Sequence, residues 1–158
     1  MIRAFENRDL DAVIALSLRA WAPVFASLEG VLGESGVFAQ LHADWRADQR
    51  RAVAAACNAQ SVHVWVAEMA PVIGGFVAVR LDHSRRIGEI YMMAVDPAYQ
   101  RKGVGSLLTS FAMHWMKDNG MALAMVETGG DRGHAPARHT YERAGFVLLP
   151  VARYFKTI

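Results

Sequence analysis

Apolar residues recur at helical intervals through the first third of the chain, and the pattern then switches to strict alternation. Residues 2–5 read as a short first strand. Asn7 stands where it can cap a helix whose apolar positions are Leu10, Val13, Ile14 and Trp21. Ala22-Pro23 is expected to end or kink that helix, and residues 28–36 read as a glycine-rich loop or broken helix. A second helix is predicted over roughly 37–58, with Val37, Phe38, Leu41 and Trp45 on one face. Val62, Val64 and Val66 then alternate with His63, Trp65 and Ala67, the signature of a strand. Ala70-Pro71 turns the chain into a strand at 72–81, and the polar stretch 82–86 turns it into a third at 87–95, which makes an antiparallel meander.

The second half returns to helical spacing. Val104, Leu107, Leu108, Phe111, Ala112 and Trp115 predict a helix over about 104–118, closed by Asn119-Gly120. Residues 121–127 are nearly all apolar and predict a central strand parallel to 87–95. A polar loop leads to a helix from about Ala135-Pro136 to Gly145, and residues 146–158 look strand-like. The expected fold is a single α/β domain over residues 1–158. Its mixed sheet combines an antiparallel meander with a central parallel strand–helix–strand crossover, and helices cover both faces.

Composition narrows the class. At 158 residues and 53% apolar content, the chain is long enough to bury a core of its own. The net charge of +2 comes from scattered residues, with only short basic clusters at 46–51 and 101–102, so no nucleic-acid stripe is expected. On this division into elements no apolar run approaches the roughly 20 residues of a membrane helix, and no membrane partner is expected. Cys57 is the only cysteine, which excludes an intrachain disulfide and points to a cytoplasmic location. The histidines show no metal-ligand spacing, and no metal is expected.

The most informative chemistry lies where the 87–95 strand runs into Asp96-Pro97 and then Gln100-Arg101-Lys102-Gly103-Val104-Gly105. Strand, basic glycine turn and helix in that order aim free N–H groups and a positive helix end at one point, which suits a pyrophosphate. Gly103 and Gly105 let the backbone approach an anion closely. Two competing phosphate motifs fail. A dinucleotide fingerprint needs a glycine where Leu108 stands, and the Gly-Lys-Ser/Thr of a nucleotide P-loop is absent.

Residues 88–105 resemble the core motif of the GNAT superfamily of acyl-CoA N-acyltransferases, Gln/Arg-x-x-Gly-x-Gly/Ala after a strand that often ends in Asp-Pro. A second block fits as well: Ala137, Tyr141, Gly145 and Phe146 fall where the family has Ala-x-x-x-Tyr-x-x-x-Gly-Phe. The resemblance is strong over about 61–158, and in the first third it rests on element order alone. It implies acetyl-CoA as donor, with its pyrophosphate cradled by Gln100, Arg101, Lys102, Gly103, Val104, Gly105 and Ser106. It also implies a pantetheine arm lying in a gap between splayed strands, paired with Met93, Ala94 and Val95, where one N–H polarises the thioester carbonyl.

The resemblance further implies that Tyr141 is the general acid, its hydroxyl near the sulfur. A phenol of pKa about 10 can protonate a thiolate of pKa about 8.5. The acceptor is an amine, and a lysine-like amine at pH 7 is about 4.6 kcal/mol from its reactive neutral form. Glu89, an acid in an apolar strand that matches a family glutamate, is the candidate base, with a water chain or a pairing of Glu89 with Arg85 or Arg86 as alternatives. His134 stands where the family commonly has a CoA-contacting asparagine. It is a candidate to donate to the pantetheine arm, to act as an acid/base group, or only to bond local backbone at a helix start. The expected reaction is direct acetyl transfer to a primary amine of a small molecule or peptide, in a ternary complex without an acyl-enzyme. The first two helices and the 128–134 loop would form the acceptor pocket, and an edge strand could pair two copies into a homodimer. A non-catalytic acyl-CoA-binding or sensing module on the same fold is the alternative, and a nucleotide-phosphate binder is a weaker one.

Overall fold

A computed structural model of the chain describes residues 1–158. Five strands form one sheet in the order β1-β2-β3-β4-β5, where β1 is Ile2–Ala4, β2 His63–Met69, β3 Val72–Asp82, β4 Ile87–Val95 and β5 Leu123–Val126. All neighbours are antiparallel except β4 and β5, which are parallel. The helices are α1 (Leu10–Leu32), α2 (Val37–Leu41), α3 (Trp45–Asn58), α4 (Val104–Asp118) and α5 (Ala135–Arg143). The expected α/β meander with a parallel crossover and helices on both faces is therefore present.

Two cores flank the sheet. On one face α1 and α3 bury Val13, Leu16 and Val53 against Val66, Phe76 and Ala78. On the other, α4 and α5 bury Leu108, Ala112, Met116 and Tyr141 against Val77, Val79 and Ile90. Close approach on this second face depends on two glycines. A Cβ on Gly75 would come within 2.9 Å of the Ala94 carbonyl, and one on Gly88 within 2.5 Å of Met116 Cγ.

The structure corrects the sequence reading in several places. Pro23 does not end α1: the helix runs to Leu32 and is followed by a single 3-10 turn. With the helix unbroken, α1 is long and apolar enough by length and composition to cross a membrane, contrary to expectation. Its inner residues Val13, Ile14 and Leu16 are instead buried against the sheet. The helix predicted over 37–58 is two helices, interrupted at 42–44, and Asp44 caps the second by accepting from Ala47 N at 3.0 Å. Asn7 does not cap α1: it opens a 3-10 turn over Asn7–Asp9, boxed by Glu6 and Asp9, that leads straight into the helix.

A further correction concerns β5, which lies at the sheet's edge, not its centre. Leu123 and Met125 point outward and are exposed, so the apolar run there reflects something other than two covered faces. The last is the tail: residues 146–158 form no strand, and Val147, Leu149, Val151 and Tyr154 are exposed.

Candidate active site

Three features of β4 and its flanks build the site. The first is a bulge. Ala78 pairs with Met92 and Val79 with Ile90, so Tyr91 is the extra residue on β4. Alternation changes phase across it. Before the bulge Gly88 and Ile90 face α4, and after it Met93 and Val95 do, while Met92 and Ala94 turn to α1.

The second feature is a split. β5 pairs with β4 only from Ile87↔Leu123 to Ile90↔Val126, whereas β3 pairs with β4 as far as Val95. The last turn of β4 therefore has one open edge. Asp96 donates its N–H to Gly74 O on β3 at 2.9 Å. By alternation Ala94 also directs its backbone groups to β3, and Met93 and Val95 direct theirs into the split. Of the three residues expected to hold an extended ligand, two present hydrogen-bonding groups to the gap and Ala94 does not. Gln100 Nε2 donates to Val95 O at 3.0 Å, so it braces the corner instead of reaching outward.

The third feature is the turn that follows. Asp96 Oδ1 accepts from Ala98 N at 3.0 Å and caps a 3-10 turn, and its other oxygen accepts from Arg19 Nε at 3.1 Å and from Arg19 Nη2. Burial alone would raise the Asp96 carboxyl, but the Arg19 guanidinium and the Ala98 amide outweigh it and hold the group below the usual carboxylate range. This clamp ties α1 to the end of β4. Arg101 (φ 60) and Gly103 (φ 84) then bend the chain so that α4 starts with its N-terminus outward. None of the backbone N–H groups from Arg101 to Ser106 donates to a protein acceptor. Gly105 matters in a different way. A Cβ there would meet nothing closer than 3.8 Å, so protein packing does not demand a glycine. Arg101 and Lys102 are exposed beside it, and Lys102 lies over the Tyr99 ring at 5.3 Å.

Tyr141 comes from α5 and is 8% exposed, with Phe146 edge-on at 5.8 Å. Its hydroxyl has no protein hydrogen bond, yet no buried side-chain oxygen lacks a partner, so that hydroxyl reaches an accessible surface. Burial of the ring pushes its pKa up to about 12, which keeps the phenol protonated at neutral pH.

Glu89 is a strand pair rather than an isolated acid. Its Oε2 accepts from Arg80 Nη2 at 2.7 Å and Nε at 3.1 Å, and Arg80 in turn stacks on Tyr91 at 3.7 Å. Arg80 sits directly opposite Glu89 in the register, a cross-strand pairing that differs from the expected partners Arg85 and Arg86. To accept a proton from an amine, Glu89 would have to give up that pairing.

His134 heads α5, and its Nδ1 is hydrogen-bonded to Asp131 Oδ1. Asp131 Oδ2 accepts from Ser27 Oγ of α1 at 2.6 Å and from Gly133 N at 3.0 Å. Arg138 closes the loop by donating to the carbonyls of Gly129 (2.6 Å) and Asp131 (2.7 Å). Burial would raise the Asp131 carboxyl, but the bonds from Ser27, His134 and Gly133 hold it below its usual range. Ser27 and Asp131 are 104 residues apart, and nothing in the sequence pattern signals their contact.

A cavity of about 540 Å³ lies elsewhere, between the start of α1 and the β2–β3 turn. Its charges are mutually satisfied: Arg3 with Asp9 and Glu68, Arg8 with Glu6, and Arg19 with Asp96. The open split and the free amides lie outside it.

A mixed sheet that opens beyond a bulge, with a run of free amides at the next helix start, has the geometry to accept an extended ligand ending in phosphates. Residues 33–146 match the family model described as "Acetyltransferase (GNAT) family", and the chain belongs to that family, whose donor substrate is acetyl-CoA. A mycothiol acetyltransferase of Rhodococcus erythropolis is 42% identical over 60 residues, a match that takes in 38% of this chain and 19% of that protein. The chain thus spans about a fifth of the curated relatives it matches. Among solved structures, PaiA N-acetyltransferase from Thermoplasma acidophilum in complex with coenzyme A superposes with a TM-score of 0.70 at 16% identity, covering 96% of this chain and 92% of that one. AAC(6')-Iy in complex with a CoA bisubstrate analogue superposes at 0.67 and 14% identity, covering 100% and 97%. The ribosomal-protein-S18-alanine N-acetyltransferase from Escherichia coli gives 0.66 at 20%, covering 92% and 76%. These likenesses establish the fold.

Proposed function

We propose that the protein transfers an acetyl group from acetyl-CoA directly to a primary amine. The observation that carries this reading is the run of unpartnered amides from Arg101 to Ser106 at the N-terminus of α4, next to the open edge of β4. The pyrophosphate occupies those amides, assisted by Arg101, Lys102 and the helix end, and Gln100 holds the corner rigid. The pantetheine arm takes the place of a strand along Met93 and Val95 and so satisfies the edge that β5 leaves free. A β4 N–H in the gap polarises the thioester carbonyl. Tyr141, protonated and reaching the cleft, supplies the proton that the departing thiolate needs.

The same reading places the acceptor beneath α1 and the 128–134 loop, where Ser27 and Asp131 bring the two together. Its chemical class is an amine on a small molecule or peptide. The lone Cys57, with no disulfide partner, suits a cytoplasmic enzyme, and the exposed edge of β5 suits a homodimer.

The test is calorimetry with acetyl-CoA, followed by free-thiol release across an amine panel that includes an aminoglycoside. Binding with transfer to at least one amine is the expected result. Binding without transfer to any would leave a sensing module, and no heat at millimolar acetyl-CoA would remove the assignment altogether.

A further inference from the structure

We propose that His134 Nε2 is the general base that deprotonates the acceptor amine, with Asp131 and Ser27 as the positioning residues that hold the imidazole in the required tautomer. The inference rests on the acetyl-transfer reading above and adds the base to it.

The arrangement fixes the ring. Asp131 is an ionised carboxylate and can only accept, so the Nδ1 it bonds must carry the proton. In the neutral ring the lone pair then sits on Nε2. Nε2 has no protein partner, and since no buried side-chain nitrogen lacks one, it is accessible to solvent and free to accept a proton. The other side of the ring is covered. A Cβ on Gly129 would lie 2.4 Å from Nδ1 and 2.7 Å from Cε1, and one on Gly133 would lie 2.5 Å from Ser27 Cβ. Glycine at both positions is therefore what allows the loop to close around the imidazole–carboxylate pair. The order of the cluster also excludes a serine nucleophile. Ser27 bonds Asp131 and not His134, so the imidazole does not activate its hydroxyl.

Position points the same way. His134 and Tyr141 are seven residues apart, at the N-cap and in the last turn of α5, which puts them on one helix face about 10 Å apart along the axis. The loop bearing Asp131 leaves β5 just past the pair Ile90↔Val126, where the sheet opens. His134 is tied to α1 through Asp131 and Ser27, while the Tyr141 ring packs in the core with Leu108 and Met116 of α4. The charged groups bonded into the cluster are Asp131 from the loop and Arg138 from α5, while α1 presents only the neutral Ser27 hydroxyl. Glu89 is committed to Arg80 and is not free for this role.

The protons balance over one turnover. The ammonium gives one proton to Nε2, and the neutral nitrogen attacks the thioester carbon. The C–N bond forms and the C–S bond breaks, and Tyr141 gives its proton to the sulfur. The new amide nitrogen sheds a proton that restores Tyr141. The imidazolium, hydrogen-bonded to Asp131, releases its proton to water, so one proton leaves per turnover.

The experiment compares wild type with His134→Asn and Asp131→Asn. It uses the amine that gives the fastest thiol release, and it records acetyl-CoA affinity by calorimetry and kcat/KM from pH 6 to pH 10. The expected result for His134→Asn is a loss of about a hundredfold or more in kcat/KM at pH 7. Acetyl-CoA affinity should stay within about threefold, and the deficit should shrink as rising pH deprotonates the amine without help. Asp131→Asn should show the same pH-dependent deficit in smaller measure, with the unfolding midpoint checking that both variants are folded. An unchanged pH profile in His134→Asn, or a loss of acetyl-CoA affinity equal to the loss of rate, would overturn the proposal, the latter making His134 a pantetheine contact. If wild type itself binds acetyl-CoA but transfers to no amine, the functional reading fails first, and the base assignment with it.

Discussion

At the scale of single residues, Tyr141 shows how burial holds a proton on a phenol. A phenol with its ring in the core keeps its proton through the whole neutral range, because ionising it would place a charge beside apolar neighbours. Tyr141→Phe keeps the ring packing and removes only the hydroxyl. We expect kcat to fall by about a hundredfold with acetyl-CoA affinity little changed, a split that steady-state kinetics and calorimetry resolve. The same shift has a consequence for stability. The unfolded tyrosine ionises near pH 10 and the folded one only near about 12, so its stabilising share is complete below pH 10 and is lost as pH rises through that window. Denaturant melts of wild type and Tyr141→Phe between pH 9 and pH 11.5 should diverge in slope, the variant being the flatter. Asp9 has the opposite sign. The hydrogen bond from Arg3 holds its carboxyl below the usual range against the cost of burial, so its contribution is present above about pH 4 and fades as acid protonates it. Arg3→Met should lower stability at pH 7 by about 2 kcal/mol and remove part of the acid sensitivity, as urea titrations at pH 7 and pH 3 would show.

At the scale of elements, α4 separates what the fold needs from what the ligand needs. Gly103 has φ 84, a conformation that favours glycine whatever is bound, whereas Gly105 sits in the first helical turn with room for a methyl group. Gly105→Ala should therefore leave stability unchanged or raise it by up to about 1 kcal/mol, since alanine is the better helix former. It should also weaken acetyl-CoA binding at least about tenfold, because the methyl stands in the anion's path. Thermal melts with calorimetry test both halves, and equal affinity would mean that the phosphates do not approach Gly105. This element, with the strand before it, was legible in the sequence because its chemistry is local: an alternating run, an Asp-Pro cap, two glycines and a helical stripe all lie within about thirty residues. Elements that depend on distant partners were not. Pro23 reads as a breaker, yet α1 passes through it: the sheet core holds the helix from Leu10 to Trp21, and beyond the proline Phe25 stacks on Trp45 of α3 at 4.5 Å. The strand at 123–126 reads as central because its apolar residues look doubly covered, while Leu123 and Met125 point outward at an edge. The Tyr91 bulge, the Arg80–Glu89 pair and the Ser27–Asp131 bond all arise from register or tertiary contact, and no short window of sequence encodes them.

At the scale of the whole molecule, the feature still without a partner is the apolar surface left at one end of the sheet. After Phe146 packs against Tyr141, the chain carries Val147, Leu149 and Val151 at 94%, 79% and 74% exposure. It is held only at Arg153 to Glu127 (3.4 Å) and Thr157 to Ser35 (3.0 Å). The outer edge of β5 beside it has unpaired backbone groups and exposed Leu123 and Met125. A strand edge and an extended apolar segment in one copy are complementary to the same pair in a second copy related by a two-fold axis, and such pairing closes on itself. Sedimentation at tens of micromolar should therefore give twice the 17.4 kDa chain mass, and removal of residues 147–158 should return it to one chain. Because Tyr141, Phe146 and the α4 turn precede the cut, the shortened protein should still bind acetyl-CoA. A full-length chain that sediments as a monomer would instead mean that the tail folds back on its own β5, and the exposed edge would then carry no partner.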